Sequence, residues 1–461
     1  MKNLRDLMGS AWAALPGPGP ARWAAALFSL SVLTFLISLA ACQAFLAASG
    51  LVYAAHLVLK RPGAGFLPVK LPLALFCLFS VLSVFWAANP AVGWFAIRKL
   101  VLFLIWLLAV NLIVTERHLR GLLQALFAES ALAGVVATVQ FVAQYHAVSE
   151  AHPGQVYLYM ISTRIHGFMG HWMNFGGQQM LVFSALLAFL LLRSRTVTRD
   201  SGLGTRGPQG RGMEDKGSVT SSRDSSPEPR IGSPESRITS HESRLWWLLW
   251  ATVGLSIVLN FTRGVWLGCF VATLYLVARW KARLLWVLPV FVVFAYLGSP
   301  SLVRRRVWLA LHPTQEPALA IRFEMWSVGL RMIRAHPWLG VGPNNIEREY
   351  PLYLPQGTSP MLGYHSHLHD NFLQFGAERG LPCLAAWVWL MGALGWQISR
   401  IRRRLTQARW VADASFAAWL ALLFEGCFEF NFGTSPVLMV FLFITSLPFV
   451  ADRIEHRKGS G

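Results

Sequence analysis

The feature that most constrains this chain is a series of long apolar runs separated by short polar or charged breaks. A helix that crosses a bilayer needs about 20 consecutive, predominantly apolar residues, and several runs approach that length. Apolar residues make up 54% of the 461 residues, and charged residues make up only 14%. Soluble domains carry roughly 25% charged residues. The sequence therefore predicts an all-α, polytopic integral membrane protein.

Divided at the polar breaks, the runs give twelve candidate transmembrane helices. They lie near residues 24–40, 42–59, 71–88, 100–115, 121–146, 174–192, 245–260, 264–279, 284–299, 381–399, 410–428 and 434–451. We expect about six helices within residues 1–192, helices 7–9 within residues 245–299, and helices 10–12 with a cytoplasmic tail within residues 381–461. No short N-terminal apolar stretch ends in a small-residue cleavage site, so no removable signal peptide is expected.

The basic residues predict the orientation, because Lys and Arg collect in the cytoplasmic loops of membrane proteins. With a cytoplasmic N-terminus, most of the 41 Lys and Arg fall on the cytoplasmic side, including those of the short loops at residues 117–120, 279–283 and 400–404. The pair Arg98-Lys99 is an exception and falls on the outer side. We therefore expect both termini to be cytoplasmic.

The formal net charge of +19 does not indicate a nucleic-acid partner. Cytoplasmic Lys and Arg explain the charge, and no basic stripe interleaves with aromatic residues in a soluble domain. The five cysteines lie in or beside apolar runs and form no CxxC pair. They are typical of small buried apolar residues and not of a disulfide or metal framework.

Residues 193–244 differ from the rest of the chain in composition. They consist mainly of Ser, Arg, Gly, Pro and Glu, with almost no apolar residue. Such a segment cannot bury a core. A seven-residue repeat runs through it, but prolines interrupt the repeat and no pair of apolar positions recurs, which excludes a coiled coil. We expect a disordered cytoplasmic linker.

Two longer loops are expected on the outer, periplasmic side, at residues 147–173 and 300–380. Eight of the 13 histidines fall in them: His152, His166, His171, His312, His336, His365, His367 and His369. Polar chemistry is thus concentrated on one face of the membrane. Because the second loop is long, we expect it to contain short helices and to be the catalytic loop.

Residues 318–335 of this second loop show the periodicity of an amphipathic helix. The residues expected on its apolar side are Leu319, Phe323, Trp326, Leu330 and Ile333. Pro337 should end this helix. A turn at residues 340–345 follows, and Asn344 with Glu347 is expected to cap a further short helix.

The most informative polar segment contains His365, His367 and His369, followed by Asp370 and Asn371. On an extended segment the three alternating histidines share one face. Histidine titrates near neutral pH, and a histidine that serves as general base contributes about 10²–10⁴ in rate. Two alternatives remain open, namely solvated loop histidines and metal ligands. The metal signal is weak, since no HExxH or CxxC pattern accompanies the histidines.

Two arginines are candidates for anion binding. Arg263 lies between two apolar runs at the outer membrane surface, where a guanidinium is costly unless it is paired. It either reaches towards the interface or holds a phosphate by bidentate hydrogen bonds. Arg322, opposite the apolar side of the predicted loop helix, is either a surface residue or the second half of an anion clamp with Arg263.

The first outer loop combines Arg164, His166 and His171 with aromatic residues and glycines. Such a mixture suits a sugar, and it equally suits an ordinary interfacial loop. Glu425 and Glu429, at the end of an apolar run, share one helix face because they are four residues apart. A proton relay through them would favour a transporter, whereas an acidic pair at a helix end is the simpler interpretation.

Four stretches together resemble the O-antigen ligase and polymerase superfamily, over roughly residues 70–450 without the linker. In chain order they are RIHGFMGH (164–171), NFTRGVW (260–266), RFEMW (322–326) with HPWLGVGP (336–343), and HLHDNFLQFGAERGLP (367–382). The last is very similar to the family's HxHN-x-x-L-Q-x-x-x-E-x-G-x-x-G signature. Asp370 stands where the family usually has Asn, and Cys383 where it usually has Gly.

The resemblance implies a bacterial inner-membrane enzyme whose donor is a glycan on a polyprenyl pyrophosphate. The acceptor is a lipid A–core sugar in ligases and another glycan unit in polymerases. The reaction is inverting and independent of metal, and no cofactor is implied. His369 would be the base that activates the acceptor hydroxyl, while Arg263 and Arg322 would hold the pyrophosphate.

The resemblance also extends to residues around the reacting groups. His367 would support the base or contact the sugar, and the Asp370 carboxylate would raise the pKa of His369 or orient its ring. The remaining expected substrate contacts are His365, Arg164, His166, His171 and Asn371. A glycan polymerase of the same superfamily is the alternative within the family. A polytopic transporter, the alternative from another class, would show internal repeats or broken helices, and the sequence shows neither.

Overall fold

The computed structural model describes residues 15–16, 19–61, 63–200, 240–312, 317–357 and 366–459. Most of the predicted linker, at residues 201–239, lies outside this described part, and so does His365. The expectations for these residues stay predictions.

The described residues form helices, with no β-strand among them. The α-helices in chain order are α1 (Pro20–Val32), α2 (Leu39–Lys60), α3 (Lys70–Phe85), α4 (Pro90–Ile97), α5 (Leu104–Leu112), α6 (Glu116–Ala151), α7 (Val156–Ser162), α8 (Trp172–Asp200), α9 (Ser240–Leu259), α10 (Arg263–Lys281), α11 (Leu288–Leu297), α12 (Ser301–Leu311), α13 (Pro317–Ala335), α14 (Ile346–Glu349), α15 (Asn371–Arg404), α16 (Arg409–Glu425) and α17 (Ser435–Gly459). Short 3₁₀ helices lie at Arg98–Phe103, Ala282–Trp286 and Tyr350–Tyr353.

Among the described residues, seven helices are long and apolar enough to cross a membrane. They are Leu39–Lys60, Pro90–Leu112, Glu116–Ala151, Trp172–Arg193, Arg263–Trp286, Asn371–Arg404 and Ser435–Lys458. Lys70–Phe85 and Leu288–Leu297 are apolar but shorter. The prediction of an all-α, multi-pass membrane protein is therefore confirmed, whereas the count of twelve spans is not.

The centre of the bundle is formed by α8 and α17. In the most apolar window of each, 94% of the residues of α8 and 83% of those of α17 are buried. Helix α8 packs against α10 and α16, and α17 packs against α5, α8 and α16. Outer helices instead expose large apolar side chains such as Leu51 and Phe294. Helices that are apolar on their outer side fit a bilayer, where lipid covers that surface.

One end of the bundle, here called the site end, carries residues 164–171, 260–263, 366–370 and 426–434. Long-range contacts assign further segments to it. The Asn89 backbone N–H donates to the Asn345 side-chain oxygen at 2.8 Å, which places the turn after α3 beside the turn before α14. The turn after α3 and the second predicted outer loop therefore lie at the same end.

The opposite end collects the charged helix termini that the sequence assigns to the cytoplasm. Lys458 of α17 pairs with Glu116 of α6 at 2.7 Å. Arg402 of α15 binds Asp413 of α16 at 2.5 Å. These contacts support the expected alternation of helix directions, while the side of the membrane on which each end lies stays a prediction.

Helix α13 begins and ends as predicted, but its expected apolar side is wrong. Phe323 and Leu330 are exposed, and the buried residues are Met325, Val328 and Met332. Periodicity identifies an apolar stripe, but in a membrane protein lipid can cover such a stripe as well as protein can. Because Arg322 precedes Met325 by three residues, it points towards the rest of the protein.

The segment from Pro337 to Asn345 interlocks with a kink in α15. Inside this helix Gly380 has a φ of 81°. The backbone N–H groups of Val341 and Gly342 donate to the carbonyls of Ala377 and Glu378 at 2.8 and 2.9 Å. The predicted cap of the following helix by Asn344 and Glu347 is wrong. Asn345 is the N-cap residue of α14, and its side chain makes no cap bond.

Candidate active site

The segment at residues 366–370 holds its histidines in place through the residues between and after them. Leu368 is fully buried among residues of α13, and its backbone N–H donates to the Gln374 side-chain oxygen at 2.7 Å. His367 and His369 lie on either side of this leucine in the chain. Their ring centroids lie 4.2 Å apart.

His369 has a φ of 52°, a left-handed conformation that costs a non-glycine residue energy and is enriched at functional sites. The next residue, Asp370, caps α15, because its carboxylate oxygen accepts from the Leu373 backbone N–H at 2.8 Å. The strained backbone and the helix start together fix the direction of the His369 ring.

Glu429 joins the histidine to an arginine. Its Oε2 lies 2.7 Å from Nδ1 of His369, and its Oε1 accepts from Nη2 of Arg322 at 2.5 Å. Only 6% of the Glu429 side chain is exposed. Burial alone would raise the pKa of this carboxyl, but the His369 hydrogen bond and the Arg322 charge outweigh burial and hold its pKa below the usual value.

This triad determines which ring nitrogen of His369 can do chemistry. A carboxylate at Nδ1 favours the tautomer with its proton on that nitrogen, which leaves a lone pair on Nε2. The same carboxylate stabilises the imidazolium that forms when Nε2 takes a proton. An imidazole held in this way can act as a general base through Nε2.

His367, the neighbour of this base, is held neutral. Burial, followed by the nearby His369, lowers its pKa to about 4. A neutral imidazole beside the base can offer a hydrogen bond without adding a positive charge.

The first outer loop is fastened to the site by side-chain amides. Asn260 donates to the carbonyls of Ile165 and Trp172 at 3.0 and 3.2 Å. Gln140 of α6 donates to the Gly167 carbonyl at 2.8 Å and accepts from the Gly167 backbone N–H at 3.0 Å. The resemblance motifs at 164–171 and 260–266 therefore form one unit.

Within this loop, Arg164 and His171 both lie against Trp172. The Arg164 guanidinium is 5.3 Å from a ring centroid of the indole, and the His171 ring stacks on Trp172 at 4.0 Å. His166 is half-buried, and its Nδ1 has no hydrogen-bond partner in the described part of the chain. These three predicted residues are brought to the same end as His369.

The site also gathers guanidinium groups. Burial, then the charge of Arg306, lowers the pKa of Arg164 to about 10. Arg322 and Arg263 act in the same direction on Arg164, and Glu429 acts in the opposite direction. Three arginines and one carboxylate therefore lie within electrostatic range of Arg164. A surplus of fixed positive charge of this kind suits a multiply charged anion.

Arg263 reaches this cluster as the first residue of α10. The next residue, Gly264, permits a close approach, because a Cβ there would lie 3.3 Å from Cγ of Glu425 and 3.7 Å from Cγ of Glu429. The start of α10 thus packs directly on the loop that carries Glu429. A helix N-terminus adds partial positive charge where Arg263 already supplies a full one.

Asp370 and Asn371 serve the protein itself. The carboxylate bound to His369 belongs to Glu429, so the predicted role of Asp370 in orienting the ring is wrong. Asn371 is fully buried, donates to the Asn431 side chain at 2.7 Å and accepts from the Phe432 backbone N–H at 3.3 Å. It fastens the start of α15 to the loop that carries Glu429.

Sequence reasoning missed the role of Glu429 and did not single out Arg306. Glu429 was visible as an acid at a helix end, but its partners lie 60 and 107 residues away in the chain. Arg306 belongs to a run of three arginines with no pattern to single it out, yet it is buried and donates to the Phe261 carbonyl at 3.2 Å. Within the described ranges, no group of three or more His, Cys, Asp or Glu residues is placed to hold a metal ion.

Part of the chain that carries this site is similar to a known protein family. Residues 247–388 match the family model described as O-Antigen ligase. The matched region includes His367, His369 and the arginines Arg263, Arg306 and Arg322, and it excludes Arg164 and Glu429. No curated protein matches the chain. Over residues 247–388 the chain is therefore similar to the O-antigen ligase superfamily, and the match supports the resemblance seen in the sequence.

Proposed function

We propose that this protein transfers a glycan from a polyprenyl-pyrophosphate donor to a sugar hydroxyl of an acceptor, at the periplasmic face of a bacterial inner membrane. The transfer is of the O-antigen ligase type, inverts the anomeric centre and needs no metal ion or other cofactor. The lipid tail of the donor explains why the site lies at one end of a bundle of membrane-length helices.

The base in this reaction is His369. Its Nε2 takes the proton of the acceptor hydroxyl while the oxygen of that hydroxyl attacks C1 of the donor sugar. The resulting imidazolium is stabilised by Glu429, 2.7 Å from Nδ1. Arg322 holds Glu429 in turn, which keeps the carboxylate charged and its position fixed.

The leaving group is the polyprenyl pyrophosphate. As the new bond to C1 forms, the bond from C1 to the phosphate oxygen breaks, and its electron pair stays on the pyrophosphate. Fixed cations should be aimed at the place where this charge develops. Arg164, Arg263, Arg306 and Arg322 supply them. Displacement in one step, with base and leaving group on opposite faces of C1, inverts the configuration.

The observation that carries this proposal is the link His369–Glu429–Arg322. It joins a base to an anion-binding cluster through one buried carboxylate. A transporter would not need a histidine whose Nδ1 is held by a carboxylate beside four arginines. A hydroxyl-activating transferase with an anionic leaving group needs both parts.

The proposal is tested by reconstituting the purified protein in liposomes with a polyprenyl-pyrophosphate glycan. One set of vesicles contains lipid A–core as acceptor, a second contains only the donor, and both are run with and without EDTA. We expect transfer to lipid A–core, unaffected by EDTA, with inverted configuration in the product. Loss of transfer on chelation, or uptake of glycan into the lumen without transfer, would contradict the proposal.

The same assay separates the ligase from the polymerase alternative. A polymerase joins donor glycans to one another, so vesicles without lipid A–core would accumulate longer lipid-linked chains. A ligase leaves those donors at their original length.

A further inference from the structure

A polar pocket lies at the site end, apart from the group of Arg164, Arg263, Arg306 and Arg322. It is a cavity of about 30 Å³. Its polar lining consists of Lys99, Asn344, Glu378 and Arg379, and aromatic rings including Phe430 form its walls. Asn344 is exposed and lies at its mouth. On this measure a single water needs about 10–15 Å³, so the pocket admits a hydroxyl or hydroxymethyl group but not a whole sugar ring.

Arg379 is a preorganised hydrogen-bond donor in this pocket. Its Nη1 donates to the Ser80 hydroxyl at 2.8 Å, and its guanidinium lies 5.1 Å from the ring centroid of Phe375. Only 9% of its side chain is exposed, yet its Nε makes no hydrogen bond. A buried donor that lacks an acceptor is costly unless a ligand or a water supplies one.

Glu378 supplies the complementary acceptor. One of its oxygens accepts from the Asn344 backbone N–H at 2.8 Å. The other lies 3.9 Å from Nε of Arg379, which is too long for a direct hydrogen bond. A group that bridges this gap must accept from the guanidinium and donate to the carboxylate. A hydroxyl does both, whereas a phosphate cannot donate once ionised.

Lys99 completes the pocket and accounts for an anomaly of the sequence. The pair Arg98-Lys99 lies at the end opposite to the one where Lys and Arg are expected. The Arg98 guanidinium lies over the Phe95 ring at 3.3 Å, whereas Nζ of Lys99 reaches inward to the Gly433 carbonyl at 2.7 Å. Lys99 thus ties the lining of the pocket to the loop that carries Glu429.

The pocket is distinct from the group of four arginines but lies close to the histidine segment. The charged groups that act on Arg164 are Arg306, Glu429, Arg322 and Arg263, and none of these four lines the pocket. Phe430 connects the two places. It lines the pocket, and its ring centroid lies 6.4 Å from that of His367. A molecule that reaches the pocket past His367 also approaches His369. In the proposed reaction that molecule is the acceptor sugar.

We infer that the pocket is a subsite for the acceptor sugar, with a hydroxyl or hydroxymethyl arm placed between Glu378 and Arg379. The inference rests on the proposed function and adds a position at which the acceptor is recognised. Glu378 already accepts from Asn344 and has a hydrogen bond with the Gln374 side chain, whereas Nε of Arg379 lacks an acceptor. An acceptor that lacks the hydroxyl leaves this buried donor unsatisfied, so the pocket should discriminate strongly against it.

The test uses the full-length protein in the liposome transfer assay with two variants. Glu378→Gln keeps an oxygen for the Asn344 N–H and replaces the second acceptor by a donor. Lys99→Met removes the pocket cation, and Lys70→Met, an exposed lysine at the opposite end, is its matched control. We expect about a tenfold or larger rise in acceptor KM for Glu378→Gln and Lys99→Met, with donor KM unchanged. Lys70→Met should match the wild type.

A set of deoxy acceptors, each lacking one hydroxyl, provides the second readout. One deoxy position should weaken transfer by the wild type yet make no difference to Glu378→Gln. Equal changes in donor and acceptor KM, or no deoxy position that distinguishes wild type from variant, would overturn the inference. If Glu378→Gln fails to fold, Arg379→Lys, which keeps the charge and removes the Nε donor, decides with the same deoxy set. A wild type that transfers no glycan would instead remove the proposed function on which the inference rests.

Discussion

At the scale of single residues, Glu429 connects most of the site. It accepts hydrogen bonds from both His369 and Arg322, and almost none of its side chain is exposed. Loss of its charge would leave His369 without a partner that fixes the tautomer, and would leave Arg322 without the carboxylate that positions it. Both the orientation of His369 and the position of Arg322 therefore depend on this one carboxylate.

We predict that Glu429→Gln lowers the transfer rate by about 10²–10⁴-fold while the protein still inserts and folds. Glutamine keeps the shape of the side chain but cannot stabilise an imidazolium. The control is Glu347→Gln, an exposed acid on α14 at the same end. The measurement is kcat in the liposome assay, and equal kcat for both variants would argue against Glu429 as the orienting group.

Glu429 also predicts how stability depends on pH. Its pKa is lowered in the folded protein, so the unfolded chain binds a proton at a higher pH than the folded protein does. Its stabilising effect is therefore full above the ordinary carboxyl pKa of about 4.3 and is lost as the pH falls through the lowered value. The difference in Tm between wild type and Glu429→Gln should be present at pH 7 and should shrink below about pH 4. A difference that grows on acidification would contradict this sign.

The sequence singled out the residues that we propose to react more readily than the residues that support them. His369, Arg263 and Arg322 could be named because each lies in a short motif whose chemistry is local. Glu429 could not, because its role is created by contacts with residues far away in the chain. Asn371 shows the opposite error, since its amide belongs to a motif but is used inside the protein.

At the scale of elements, the start of α15 and the turn that packs on its kink set the geometry of the histidine segment. The cap explains why the departure from the family pattern at Asp370 is tolerable. Asp and Asn serve about equally well as N-cap residues, since either side chain offers an oxygen to the first turn of a helix.

We predict that Asp370→Asn leaves both Tm and transfer rate close to the wild type. Asp370→Ala, which removes the acceptor of the Leu373 N–H, should destabilise the protein by about 0.5–2 kcal/mol. Thermal unfolding in detergent measures the difference. A large loss of activity in Asp370→Asn with unchanged Tm would show that the Asp370 carboxylate acts directly in the reaction.

The turn at residues 340–342 gives an element-scale prediction with an internal control. A Cβ on Gly340 would lie 2.3 Å from the Glu378 backbone carbon, and its φ is +65°. Gly357 has a φ of +75° but nothing within 4 Å of its Cβ position. Gly357→Ala should therefore cost only the left-handed strain, about 1–2 kcal/mol. Gly340→Ala adds overpacking against backbone, typically a further 1–3 kcal/mol, and lowers Tm more. Equal Tm values would contradict the interlocked turn.

The helices themselves were largely predictable from apolar runs. The number of membrane-spanning helices, and the side of each helix that packs against protein, were not. Two of the apolar helices are too short to count as spans. The sequence could not show this, because polar breaks do not distinguish a full span from a partial one. Helix α13 was located correctly, yet the expected side was wrong. An apolar stripe in a membrane protein indicates contact with something apolar, and lipid qualifies as well as protein.

At the scale of the whole molecule, the account requires one end of the bundle to face the periplasm. Lys and Arg predict which end, since most of them gather at the end opposite to His369. Long-range contacts join the first outer loop to the segment before α10, and the turn after α3 to the second outer loop. Labelling on cells tests which side of the membrane the site end faces.

We predict that a membrane-impermeant maleimide labels Gly357→Cys, at the site end, in spheroplasts of intact inner membrane. Arg404→Cys, exposed at the opposite end, should react only after the membrane is opened. The five native cysteines are buried or half-buried, so their background should be low and is measured on the wild type. The reverse labelling pattern would place the site in the cytoplasm.

The central claim is that an imidazole and a set of guanidinium groups act together on one lipid-linked diphosphate. The most direct measurement is the single-turnover transfer rate in liposomes for His369→Gln and Arg263→Gln, with His336→Gln, an exposed histidine of the same loop region, as control. We predict that His369→Gln and Arg263→Gln each lose at least about 10²-fold in rate, that the control keeps its rate, and that the double variant is little slower than the worse single variant. Wild-type rates in both single variants would contradict the account.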